Sequence, residues 1–135
     1  PHKWEFSHDM VGYNYRMPNL NAALAVAQLE KLDLFIENKR SVSKKYRNFF
    51  ENSDIAFVTE LKDSRSNYWL NSVEFENVEQ RDLFLNETNK NGVMTRPLWN
   101  LMNELPMFNK CQKSNLSNAE WLEDRIVNIP SSVIL

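Results

Sequence analysis

At 135 residues the chain is long enough for one domain with one buried core. Hydrophobic residues make up 42% and charged residues 25%, and the formal net charge is -2. A nucleic-acid binder would need a basic field that is absent here, and a bilayer span would need an apolar run of roughly 18 residues that the sequence lacks. Cys111 is the single cysteine, which excludes an intrachain disulfide and leaves a thiolate zinc site without its ligands; a reducing cytoplasm fits this usage. The opening Pro1-His2-Lys3-Trp4-Glu5-Phe6 has neither the basic nor the apolar region of a secretory signal. A soluble, single globular unit is therefore expected.

Residues 1–18 are polar and aromatic without steady periodicity and read as a structured loop that Pro18 closes. Asn19 is placed as the N-cap of one long helix over residues 19–52, whose apolar face takes in Leu20, Ala23, Leu24, Ala27, Leu32, Ile36, Val42, Tyr46 and Phe49. At about 1.5 Å per residue such a helix reaches about 50 Å, too far for a small domain to cover, and a bend near Asp33 is expected. Residues 53–135 change character. Ile55, Phe57 and Val58 form a short β-prone run, Ser64 to Asn67 a turn, and Tyr68 to Phe75 a second strand. A helix over Glu79 to Asn91, with Leu83 and Phe84 inward, stops at Asn91-Gly92. Val93 to Arg96 should be a third strand, followed by turns, a helix near Ser117 to Asp124 and a strand over Ile126 to Ile129. The order gives an α+β domain with a small, mainly antiparallel sheet covered on one face by helices.

Two places present groups suited to binding. The Gly12-Tyr13-Asn14-Tyr15-Arg16 loop offers an amide, a fixed cation and two phenols, a set suited to a phosphate or carboxylate; a loop in which Asn14 makes its own turn is the plainer alternative. Arg96, at a strand end before Pro97, either faces a cleft or makes a surface ion pair. His2 and His8 lack the spacing of a metal ligand set, so no metal is assigned. Lys39, Arg40, Lys44, Lys45 and Arg47 read as a solvated helix face flanked by Glu37 and Glu51.

The stretch from His8 to Ala23, with Gly12-Tyr13-Asn14-Tyr15-Arg16-Met17 at its centre, closely resembles the G-Y-N-x-R-[ML] loop and helix start of the DegT/DnrJ/StrS sugar aminotransferases. Further similarity lies in Ala27 to Leu32, in Thr95 to Trp99 with Leu105 to Phe108, in Leu116 to Leu122 and in Asn128 to Ser132, and the set looks most like the branch that makes amino sugars for legionaminic-acid-type surface glycans. The resemblance implies the C-terminal small domain of a fold-type I enzyme dependent on pyridoxal phosphate. Such a parent would move an amino group, from glutamate, to a keto carbon of a nucleotide-linked sugar for polysaccharide biosynthesis. It implies a homodimer in which Asn14 reaches the cofactor phosphate of the neighbouring subunit, with Tyr13, Arg16, Arg96 and Asn103 as substrate-binding candidates. Asn103 stands where the family often has a histidine, so a proton-transfer role there is in doubt, because an amide does not titrate near neutral pH.

The Schiff-base lysine of the family lies upstream of this loop, and no lysine here has its serine- and histidine-containing surroundings. The chain by itself is accordingly expected to bind no cofactor covalently, to lack transaminase activity and to associate through its Leu20 to Ile36 face. Two other outcomes fit the resemblance: a non-catalytic dimerisation or ligand-sensing module, and a relative that dehydrates the sugar with histidine in place of lysine.

Overall fold

The structure is a computed structural model and describes residues 10–14 and 16–134. His2, His8 and Tyr15 lie outside the described residues. The helical segment is two helices rather than one, α1 over Asn19–Leu29 and α2 over Leu32–Phe50. The interruption falls at Glu30 and Lys31, slightly before the bend expected at Asp33. The Lys31 amide bonds to the Gln28 carbonyl in a tight i to i−3 turn, and Lys31 (φ -110°, ψ 9°) leaves helical geometry. α1 also begins differently from the expectation: Pro18 is the N-cap residue, with no side-chain cap, and Asn19 is already helical. Proline suits this position because it has no amide to leave unsatisfied.

Four strands, β1 (Ala56–Phe57), β2 (Asn71–Glu74), β3 (Arg96–Pro97) and β4 (Ile126–Ile129), form one antiparallel sheet in the order β1-β2-β4-β3. The central pair sets Val73 opposite Val127 and Asn71 opposite Ile129. With a side-chain period of two, Val73, Phe75, Val127 and Ile129 share one face. Onto that face pack Tyr46 and Phe50 of α2 and Phe84 and Leu85 of α3 (Val78–Lys90), with Ile55 and Phe57 at the edge. Leu83, expected inward, is exposed, and Leu85 occupies the core instead. α3 carries a side-chain cap, the Asn77 amide oxygen accepting from the Gln80 amide at 2.9 Å, and ends at Asn91 before Gly92, whose φ of 78° a side chain would disfavour. A short seven-residue helix, α4 (Ser117–Glu123), precedes β4.

Strand lengths depart from the sequence expectation. Tyr68 has φ 46° and lies in the turn, so the second strand starts only at Asn71. The third strand is displaced to Arg96–Pro97 because Thr95 is drawn into the interior. Its hydroxyl lies 2.6 Å from that of Thr88, and the Asn89 amide donates to its hydroxyl (2.9 Å) and carbonyl (3.1 Å).

Two members of the basic cluster are tethers rather than solvated charges. Arg40 grips Glu60 with two bonds of 2.9 and 2.8 Å and donates to the Ser66 carbonyl, which pins the Ser64–Asn67 turn to α2. The Arg40 guanidinium, helped by the Ser66 amide, holds the Glu60 carboxyl down at about 2. Lys39 donates to the carbonyls of Ser131 (2.6 Å) and Trp69 (3.2 Å). The adjacent Asn38 exchanges amide bonds with Ile134, so three consecutive residues of α2 fasten three distant segments.

Candidate functional site

The loop before α1 has no regular structure among its described residues, and Tyr13, Asn14 and Arg16 are all exposed on it. Neither Asn14 nor Arg16 has a hydrogen-bond or ionic partner among the described residues. An amide and a guanidinium left in this state are donors available to an external anion.

Arg96 occupies β3 opposite Asn128 of β4. The Asn128 side chain accepts from the Ser72 hydroxyl at 2.8 Å, on the sheet face away from the main core. The half-buried Arg96 guanidinium approaches the Met94 sulfur at 3.6 Å and lines a cavity of about 420 Å³ with Leu98, Trp99, Asn128, Ser131 and Ser132. One wall is rigid: the Ser131 hydroxyl donates to the Ile129 carbonyl (2.7 Å) and accepts from the buried Asn71 amide (2.7 Å). Trp99 stacks on Trp69, centroids 6.2 Å apart and planes at 20°. Trp69 in turn lines an apolar hollow of about 800 Å³ with Leu29, Leu32, Phe35 and Ile36.

Asn103 is placed elsewhere. It lies half-buried in the short helical turn Met102–Glu104 and does not line the Arg96 cavity. Its neighbour Glu104 borders a separate polar cavity of about 660 Å³ with Arg81, Asp82, Glu123 and Asp124. Burial, reinforced by Glu104, pushes the Glu123 carboxyl up, against the Leu101 amide that donates to it at 3.2 Å. The five candidates therefore form a loop group (Tyr13, Asn14, Arg16), a cleft residue (Arg96) and an isolated amide (Asn103). Trp69 and the Lys39 tether were not singled out in the sequence. The first lies in a stretch read only as a strand, and the second is one cation among several on a helix.

Among the described residues no group of three His, Cys, Asp or Glu could hold a metal ion, and no helix is long and apolar enough to cross a membrane. Cys111 is exposed and free.

The small antiparallel sheet with helices on one face is a fold shared with solved structures. The solved Escherichia coli GDP-4-keto-6-deoxy-D-mannose-3-dehydratase with bound hydrated PLP superposes with a TM-score of 0.73 at 22% identity, covering 93% of this chain and 34% of that one. The DegT/DnrJ/EryC1/StrS aminotransferase family matches residues 2–135, and the chain belongs to that family. It is 37% identical over 128 residues to GDP-perosamine synthase of Escherichia coli O157:H7, covering 94% of this chain and 34% of the relative. It is 34% identical over 129 residues to GDP-perosamine synthase of Vibrio cholerae, covering 92% and 35%. The chain thus spans about a third of the length of these relatives. They are named for perosamine rather than for legionaminic acid, the branch suggested by the motifs.

Pyridoxal phosphate is the cofactor of the family. The exposed Asn14 amide and Arg16 guanidinium could hold its phosphate, since both are donors without a competing partner among the described residues. Lys39 gives its ammonium to two carbonyls, and the other described lysines are exposed.

Proposed function

We propose that this chain is the small C-terminal domain of a homodimeric, cytoplasmic nucleotide-sugar aminotransferase, and that it lends its Tyr13-Asn14-Tyr15-Arg16 loop to the active site of the partner subunit. The observation that carries the reading is the state of Asn14 and Arg16, exposed and unpartnered on a loop beside an uncovered apolar helix, in a chain of this family. When bound, the cofactor supplies an aldehyde that accepts the amino group of the donor and returns it to the keto sugar. Asn14 hydrogen-bonds the cofactor phosphate. Arg16 and Tyr13 orient the anionic part of the donor or of the nucleotide, and Arg96 offers its planar fork to the diphosphate in the cleft. Asn103 contributes at most a neutral hydrogen bond, so proton transfer falls to groups outside this chain. The nucleotide is guanosine diphosphate, by analogy with the names of the two relatives. By itself the chain binds no cofactor covalently and does not transaminate.

In the full-length protein Asn14→Ala should lower cofactor affinity by about one to two powers of ten, the worth of a hydrogen bond to a charged acceptor. Arg16→Ala should instead raise the Michaelis constant for donor or sugar nucleotide. Mixing Asn14→Ala subunits with subunits lacking the catalytic lysine tests the shared site. A heterodimer then contains one site with an intact lysine and an intact donated loop, so activity should return. No recovery in heterodimers confirmed by mass would show that Asn14 serves its own subunit.

A further inference from the structure

Several large aromatic side chains of the fold lean on the sheet: Tyr46, Phe50, Phe57 and Phe84 all pack against the core. Trp69 and Trp99 do otherwise. They come from segments 30 residues apart in sequence, stack on each other, and still remain 65% and 55% exposed. Their stack is held from behind, since Lys39 donates to the Trp69 carbonyl and the Trp69 amide donates to the Asn67 side chain at 3.0 Å. Trp99 borders the same cavity as Arg96, and about 420 Å³ is within the range of small-ligand sites. A fixed, exposed indole face beside a guanidinium offers what one end of a nucleotide and its phosphates require: a stacking plane for the base and a fork for the anion.

We propose that Trp99, backed by Trp69, is the stacking platform for the nucleobase of the sugar nucleotide, and that it favours a purine. This rests on the nucleotide-sugar reading above and deepens it by assigning the half of the substrate that the cavity reads. The Trp99 indole presents a bicyclic plane, and a bicyclic base covers more of it than a pyrimidine does, so the gain from stacking should be larger for guanine than for uracil. Arg96 reaches the phosphates that both nucleotides share and therefore adds affinity without selecting the base.

The test uses the full-length protein and two probes lacking any sugar, GDP and UDP, titrated by calorimetry. Wild type should bind GDP several-fold tighter than UDP. Trp99→Leu should lose about tenfold or more of GDP affinity and most of the preference over UDP, whereas Trp99→Phe, which keeps an aromatic plane, should retain most of both. Arg96→Gln should weaken both nucleotides alike. Equal affinity of wild type for GDP and UDP, GDP affinity in Trp99→Leu within twofold of wild type, or equal losses for the leucine and phenylalanine variants would each overturn the platform. In the last case the indole would be packing against protein. Uptake of the amino group of glutamate, followed by cofactor absorbance, is read in parallel. If wild type takes up the amino group but shows no purine preference, the platform fails and the aminotransferase reading stands. If it takes up none, that reading fails, and the titrations still judge the platform.

Discussion

α1 and α2 are consecutive in sequence and both carry apolar side chains at helical spacing, yet only α2 finds a covering for them within the chain. On α2, Tyr46 and Phe50 pack on the sheet while Asn38, Lys39 and Arg40 fasten three other segments. On α1 no residue is buried, and Leu20 stands 81% exposed. Apolar periodicity states that a helix face is to be covered, but not by what. A row of exposed leucines next to a loop on which Asn14 and Arg16 have no partner among the described residues is the character of an interface, which is the part given to this region in the shared-site proposal.

Five experiments break or sharpen this contrast. The largest effect is expected in the packed region: Phe75→Ala removes a buried ring that lies 4.9 Å from Phe84, and urea unfolding should report a loss of about 3–5 kcal/mol. Acid should act next. The Arg40 guanidinium holds the Glu60 carboxyl at about 2, below the ordinary 4.5, so this pair stabilises the fold above pH 4.5 and the contribution is lost as pH falls toward 2. In Glu60→Gln that acid limb of the urea midpoint should flatten. Glu123 works in the opposite sense. Its carboxyl is pushed up by burial, so its contribution is present at low pH and is lost as pH rises through its folded value. Glu123→Gln should therefore gain on wild type toward neutral pH. Asn77→Ala, which removes the cap of α3, should cost about 1 kcal/mol. The smallest change belongs to the bare helix. Leu24→Ala should shift the unfolding of this chain by no more than about 0.5 kcal/mol, while sedimentation should report weaker self-association. A loss at Leu24 comparable to that at Phe75 would mean that α1 is covered from within.

Local chemistry made much of the framework legible. The 3.6 period and the Asn91-Gly92 stop marked α3, the β-branched Ile126-Val127-Asn128-Ile129 run marked β4, and the Gly12 to Met17 motif carried the family. Errors came where a distant partner decides. Leu83 and Leu85 both suit an inward position near Phe84, and only the seating of α3 on the sheet selects Leu85. Thr95 leaves the expected strand because Thr88 and Asn89 offer it hydrogen bonds, and the fate of Lys39 depends on carbonyls 30 and 92 residues away. In the candidate site the chemistry of Asn14, Arg16 and Arg96 could be read from residue type. The separation of Asn103 from the Arg96 cavity, and the pairing of Trp69 with Trp99, could not.

The sequence by itself determined the α+β class, the antiparallel strands and the family, because these rest on periodicity, turn chemistry and short motifs, all of which act between near neighbours. The break at Glu30–Lys31, the conversion of Lys39 and Arg40 from surface charges into tethers, and the two stacked indoles beside Arg96 were decided only in the tertiary structure. Each depends on groups far apart in the chain meeting at hydrogen-bonding or stacking distance, a condition that the folded backbone sets and that no local pattern encodes.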